Sequence, residues 1–275
     1  MKITLWGTLG SYPLINNTNH NHHHTSCVSI EDNDHLIILD AGTGLLNLAN
    51  KTKSYPKHIH LFFSHFHLDH IAGLPYFPPL HNASHTISLY HPDIIKLDTM
   101  LNSLFNSVLT PFDKKNIKAK LLTKTPPKQL DSTLAIETFK LNHPGDAYSY
   151  KFKTQHDTII YSSDHEIKKR KSNYCLNYLN FLKNATILIH DCQYNDQEKS
   201  TKTDWGHSFV TDVLNVAEIS CVKHLILTHH NPHKNSDRLI KKIKSKCSKK
   251  TYPLSCKLGH DNLTINLKNI SRKTP

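Results

Sequence analysis

Four metal-competent side chains within six residues, His65, His67, Asp69 and His70, constrain this chain more than any other stretch. They follow an apolar run, Ile59, Leu61, Phe62 and Phe63, of strand character. A strand end is a rigid base for ligands, and the turn after it lets alternate residues converge. His65 and His67 are read as a chelating pair for one ion. Asp69 and His70, displaced around the turn, face a second. Imidazole nitrogen and carboxylate oxygen bind a borderline ion such as zinc at about 2.0–2.2 Å. The chain has 23 histidines, so a solvated His-rich turn is the competing reading. The spacing, and the further ligands found downstream, decide against it.

With 275 residues the chain makes one large domain or two small ones, and a hydrophobic share of 37% still allows a core. No stretch approaches about 18 consecutive apolar residues, so no transmembrane helix and no membrane partner are expected. The N-terminal MKITLWGTLGSYP reads as a first strand and turn, not a signal peptide. Cys27, Cys175, Cys192, Cys221, Cys247 and Cys256 form no C-x-x-C pair. They read as reduced thiols of a cytoplasmic protein. The formal charge of +12 favours anionic partners and is silent about fold. Much of it lies in the tail, at Lys241, Lys242, Lys244, Lys246, Lys249 and Lys250. A solvated helix face is the first reading there, and a nucleic-acid contact the second.

Along the chain, residues 2–6 open a sheet, and a polar loop from Asn16 to Thr25 carries His20, His22, His23 and His24. That loop reads as a flexible segment beside the site and a source of adventitious metal binding. Residues 26–30 and 36–39 form a hairpin turning at Asp32-Asn33-Asp34. Asp40 then either supports the ligand loop or caps a helix around Leu45 to Asn50. Ile87 to Tyr90 is a strand, and Asp93 to Val108 an amphipathic helix capped by Asp93. Its stripe is Ile94, Leu97, Leu101, Leu104, Phe105 and Val108, and Thr110-Pro111-Phe112 is expected to overhang a pocket. Residues 118–142 suggest two strands around Pro126-Pro127.

The stretch SHFHLDHIAGL resembles the His-x-His-x-Asp-His signature of the metallo-β-lactamase superfamily, and the histidine at position 67 resembles its hydrolases. The likeness extends over roughly residues 1–235. Four further features stand in the order that family requires: His143 before Pro144-Gly145, Asp164 before His165-Glu166, His207 in Gly206-His207-Ser208, and His229 after the strand ending at Thr228. The resemblance implies an α/β fold, the four-layer αβ/βα metallo-β-lactamase sandwich. It also implies two divalent ions, with zinc first and manganese or iron as alternatives. His65, His67 and His143 would hold one ion, and Asp69, His70 and His229 the other, with Asp164 between them. His230 is the alternate to His229. The catalytic candidates are Asp69 and His207. Residues 1–236 form the hydrolase domain, and 237–275 a basic segment packed on it.

Two ions about 3.5–4 Å apart activate a bridging water and stabilise charge on attacking and leaving oxygens, which suits an anionic phosphodiester. Gly206-His207-Ser208 resembles the His-Ser loop of phosphodiesterases in the superfamily, in which the histidine meets the phosphate or leaving group. The other reading is that Ser208 caps the next helix and His207 is a spacer. Between His143 and Asp164 there is only a hairpin's length of chain, with no room for the RNA-gripping arm of tRNA 3′-end endonucleases. The short interval resembles phosphoribosyl cyclic phosphodiesterases and implies a small or cyclic phosphodiester as substrate. A tRNA 3′ endonuclease, and a lactone or thioester hydrolase, are the alternatives; a non-catalytic nucleic-acid-binding module is a third. A homodimer is left open.

Overall fold

Short apolar runs become the central strands of two sheets, and their register decides where the candidate ligands fall. The computed structural model describes residues 1–14, 21–32, 35–106, 108–168, 172–232 and 254–270. These divide into two units, Met1–Pro126 with His260–Pro275, and Pro127–Gly259.

In the first unit, β1 (Lys2–Gly7), β2 (Cys27–Asp32) and β3 (His35–Leu39) are antiparallel neighbours. From β3 the sheet continues in parallel through β4 (His58–Phe62), β5 (Thr86–Tyr90) and β6 (Lys120–Lys124). The middle strands are buried on both faces, which is why β3 and β4 read as apolar runs and not as alternating ones. Helices α1 (Gly44–Lys51) and α2 (Ile94–Leu104) pack Leu45, Leu48, Leu97 and Leu101 against Ile38, Leu61 and Leu89. Truncating such a residue, Leu61→Ala for example, costs about 2–5 kcal/mol.

In the second unit, β7 (Ala135–Lys140), β8 (Tyr148–Lys153) and β9 (Thr158–Ser162) form an antiparallel meander. Parallel strands β10 (Ile187–Asp191), β11 (His224–Thr228) and β12 (Ser255–Leu258) follow in spatial order. Helix α3 (Asn173–Leu182) begins at Ser172, whose hydroxyl accepts from the Cys175 N–H. With α4 (Lys199–Lys202) outside the core, α5 (Val210–Ile219) packs Val213, Leu214 and Ala217 into the cluster of Ile160, Leu188 and Leu225. The chain then returns to the first unit as β13 (Leu263–Asn266), antiparallel to β1.

Parallel strands end side by side, and sites collect outside their carboxyl ends. Leu39 pairs with Phe62, which sets Asp40 beside the start of the ligand turn. His190 pairs with Ser162 and Asp191 with Thr228, so Asp164, Asp191 and His229 leave three adjacent strands at one level. Asp40, Asp164 and His229 all take left-handed backbone conformations, with φ of 58°, 53° and 57°. L-residues adopt this region at a cost of roughly 1–2 kcal/mol. Such outliers cluster where a side chain must be aimed.

Several expectations change. Asp40 does not cap α1; Thr43 occupies that position. Helix α2 stops at Leu104 because Asn106 turns its carboxamide oxygen onto the N–H groups of Val108 and Leu109. Val108 is therefore 83% exposed instead of completing the stripe. The Phe112 ring, on the segment read as overhanging a pocket, packs on Tyr76 and His81. Strands β6 and β7, read as flanking Pro126-Pro127, belong to different sheets and do not pair. The described part of the His-rich loop is tethered. Asp261 accepts from the N–H groups of His23 and His24 (2.7 and 2.9 Å) and from the Thr8 hydroxyl, which also meets His22 Nδ1. His20, Asn33, Asp34 and the lysines at 241–250 lie outside the described residues.

Candidate metal centre

In the first unit the ligand turn hangs from one buried carboxylate. Asp40 Oδ1 accepts from Ser64 N–H at 2.6 Å, while Oδ2 accepts from the Ser64 hydroxyl at 2.7 Å and from His70 Nδ1 at 2.8 Å. A ring whose Nδ1–H is given to a carboxylate presents Nε2 as its lone-pair nitrogen. That sets the tautomer of His70. Ser64 spends its proton on Asp40, so at 3.0 Å it accepts from His65 Nδ1 and leaves His65 Nε2 for a ligand. His65 Nε2 and His67 Nδ1 then stand 2.9 Å apart.

A short 3₁₀ turn, Leu68–His70, brings the remaining two residues round. His70 Nε2 lies 3.5 Å from Asp69 Oδ2, which also accepts from Ser11 N–H at 2.7 Å. The turn is pressed onto Gly42, where a Cβ would fall 2.1 Å from the Asp69 carbonyl oxygen. Any other residue at 42 would push the turn off its anchor.

In the second unit four chain segments converge. The two oxygens of Asp164 face different rings: Oδ2 is 3.5 Å from His143 Nε2, and Oδ1 is 3.2 Å from His229 Nε2. His143 donates its Nδ1–H to the Gly206 carbonyl at 2.8 Å, which again leaves Nε2 as the lone-pair nitrogen. Asp164, His207 and His229 have ligand atoms within 4.8 Å of one another. His207 and His229 stack at 5.0 Å between centroids. His230, the alternate to His229, is turned away, with Nε2 on the Gly259 carbonyl at 2.9 Å. Burial pushes its pKa down to about 4.

Two carboxylates that organise this unit escape the sequence reading. Asp191 Oδ2 faces His207 Nδ1 at 3.1 Å and accepts from the N–H groups of His165 and Ser208. Burial alone would raise this carboxyl; the His207 ring, with His229 behind it, outweighs that and holds it below the usual carboxylate range. Glu166 accepts from Asp204 N–H and Gly206 N–H, both at 2.8 Å, and so clamps the loop before His207. The signal for Asp191 was present, since Ile187-Leu188-Ile189 is an apolar run ending in His190-Asp191 like the others. Ser208 does not cap α5. Its hydroxyl donates to the His165 carbonyl, and Phe209 holds the cap position.

The donors are imidazole and carboxylate, and His70 and His143 each have Nδ1 committed to an oxygen acceptor. This set fits a divalent ion of the zinc, manganese or iron type. A cavity of about 820 Å³ in the first unit, lined by Trp6, Lys51, Lys53, Lys57, His35 and His58 among others, contains none of these ligands.

Sheets of this order with His and Asp clusters at their strand ends define an α/β metal-dependent hydrolase. Residues 35–230 match the β-lactamase superfamily domain, and the chain belongs to that family. It is 26% identical to a ribonuclease Z of Methanococcus aeolicus, over 83% of this chain and 84% of that protein. It is 24% identical to the probable metallo-hydrolase YhfI of Bacillus subtilis, over 89% and 93%. The crystal structure of YhfI superposes with a TM-score of 0.70 at 21% identity, covering 96% and 98% of the two chains. The short form of human tRNase Z gives 0.70 at 18%, covering 97% and 99%. The predicted metallo-β-lactamase fold class is thus the observed one. No helix among the described residues is long and apolar enough to cross a membrane.

Proposed function

We propose that this hydrolase is a binuclear phosphodiesterase acting on a small or cyclic phosphodiester. His65, His67 and His143 are assigned to one divalent ion, Asp69, His70 and His229 to the other, and Asp164 to both, with zinc the first choice. When bound, two such ions supply an activated water and stabilise charge on the attacking and leaving oxygens. The observation that carries the reading is the Asp191–His207 pair. A carboxylate 3.1 Å from Nδ1 fixes the orientation of the ring, so that Nε2 is the nitrogen placed to hand a proton to the substrate. A donor of this kind serves a departing alkoxide, the poor leaving group of a phosphodiester. Asp69, held by Ser11 N–H, is the further catalytic candidate as a ligand beside the reacting water. The chain's charge of +12 supports an anionic substrate, and a cytoplasmic location is proposed with it.

The preference for a small substrate comes from the interval between His143 and Asp164. It is filled by β8, β9 and the four-residue turn 154–157 between them, so no substrate-gripping arm is inserted there. A second reading, a tRNA 3′-processing endonuclease, is favoured by the relatives named ribonuclease Z. Protein reconstituted with zinc or manganese should be assayed against cyclic nucleotides, linear dinucleotides, a tRNA precursor and a lactone. Turnover of the small diesters at much higher kcat/KM than the precursor is expected. Cleavage of the precursor at its 3′ trailer, with small diesters inert, would replace the first reading by the second. Lactone turnover alone would remove both.

A further inference from the structure

The loop that carries His207 also carries Trp205, and the two tryptophans of the chain are treated in opposite ways. Trp6 is 8% exposed, with its indole N–H on the Ser29 hydroxyl at 2.8 Å. Trp205 is 55% exposed. The indole is thus open to a ligand, while the backbone that carries it is pinned on both sides. Glu166 takes the N–H of Asp204 before it and of Gly206 after it. Gly206 has φ of 84°, and a Cβ there would come 2.5 Å from His143 Nδ1. Its carbonyl is held by that same ring nitrogen. One residue on, His207 is fixed by Asp191.

Lys202 Nζ sits 3.3 Å from the centroid of the Trp205 ring and 5.8 Å from that of Tyr194, whose own ring meets His207 at 5.7 Å. The result is a flat aromatic surface with a cation on it, carried on a pinned backbone two residues from the proposed proton donor. An aromatic base attached to a phosphate matches that combination, since the base stacks on the indole and the ammonium favours the anion.

We propose that Trp205 is a nucleobase platform, so that the diester taken at the His207 loop carries a nucleoside; this deepens the phosphodiesterase reading and rests on it. A base-free diester finds no use for the indole.

The test compares two diesters with the same leaving group, thymidine 5′-(4-nitrophenyl phosphate) and methyl 4-nitrophenyl phosphate, on metal-loaded wild type, Trp205→Ala and Trp205→Phe. Stacking on an aromatic side chain contributes roughly 1–3 kcal/mol per base, so Trp205→Ala should raise KM for the nucleoside diester by about 10-fold or more. Trp205→Phe should recover most of the loss, and the methyl diester should show no comparable change. Independently, thymidine 5′-monophosphate should quench the solvent-exposed tryptophan emission of the wild type, whereas ribose 5-phosphate should not. Equal losses on both diesters would make Trp205 a structural part of the loop and overturn the platform. So would an unchanged nucleoside KM, or quenching that fails to distinguish the two phosphates. If neither diester is turned over, the phosphodiesterase reading falls by itself, and the fluorescence titration still decides whether a base binds.

Discussion

The two units solve one problem, aiming histidines and aspartates, by opposite means. In the first, a single turn of six residues carries His65, His67, Asp69 and His70, and one carboxylate, Asp40, holds it through three hydrogen bonds. In the second, His143, Asp164, His207 and His229 come from four separate segments. Two carboxylates, Asp191 and Glu166, tie the segments of Asp164 and His207 together through backbone N–H groups and one ring. A contiguous motif needs one anchor, whereas a dispersed one needs a network. The first arrangement should fail all at once when its anchor is lost. The second should fail by degrees, except where one residue serves two rings.

Asp164 is that residue, and the largest effect is expected there. Its oxygens face His143 and His229 separately, so Asp164→Ala should lower metal content below that of His67→Ala and reduce phosphodiester turnover by roughly 10³-fold or more. Inductively coupled plasma mass spectrometry and initial rates read both quantities. Substituting His22, His23 and His24 in parallel removes stray binding from the count. Two ions retained without Asp164 and His67 would show that the ligands are wrongly assigned.

His207 tests whether the second unit also handles protons. General acid help contributes typically about 10²–10⁴-fold, and it is needed most when the leaving group is a poor one. His207→Ala should therefore lose most activity on an alkyl diester, keep much of it on an aryl diester, and retain both ions. Equal losses on the two would assign His207 to phosphate positioning instead.

Asp40 tests the single anchor. Asp40→Ala leaves the Ser64 N–H and the His70 Nδ1–H buried without their acceptor. Each such group costs roughly 1–3 kcal/mol, and an alanine held at positive φ adds to it. A loss of about 3 kcal/mol is expected in urea unfolding, together with weakened metal binding by His65 and His70. Unfolding at the wild-type midpoint would show that the turn is held by its ligands and not by Asp40.

The same contrast explains what the sequence disclosed. The turn at 65–70 was legible because its candidate ligands and their spacing lie in one window, after a run that only a buried strand explains. Of the dispersed candidates, Asp164 and His229 follow buried apolar strands, and the parallel register of β9, β10 and β11 brings such ends together. Asp191 satisfies the same rule, yet it matches no ligand position that the resemblance implies. Glu166 had no signal of its own. Its role is to accept from two backbone N–H groups 38 and 40 residues away, and backbone donors leave no trace in a sequence. The tether of the His-rich loop by Asp261 was hidden likewise, because composition alone describes such a loop as free.

The smallest effect is expected at Glu166, and it tests the network most directly. A carboxylate is acceptor-only, so its two oxygens match the N–H groups of Asp204 and Gly206 without conflict. Glu166→Gln keeps the size and one acceptor but turns an NH2 group toward the other N–H. One of the two clamps must then open. If Gly206 opens, its carbonyl no longer sets the tautomer of His143, and His207 drifts from Asp191. Losing a partner that orients a ligand typically costs about 10–100-fold in metal affinity or activity. The lower end, about 10-fold in kcat, is expected for Glu166→Gln, because Pro144 and the positive φ of Gly206 still restrain the loop. Glu166→Ala, which frees both N–H groups to water, should lose no more than this. Acrylamide quenching of Trp205 should increase in both variants, which a defect confined to the metals would not produce. Unchanged kcat and unchanged quenching would mean that the loop is held by its own backbone, and that the network of the second unit reduces to Asp191.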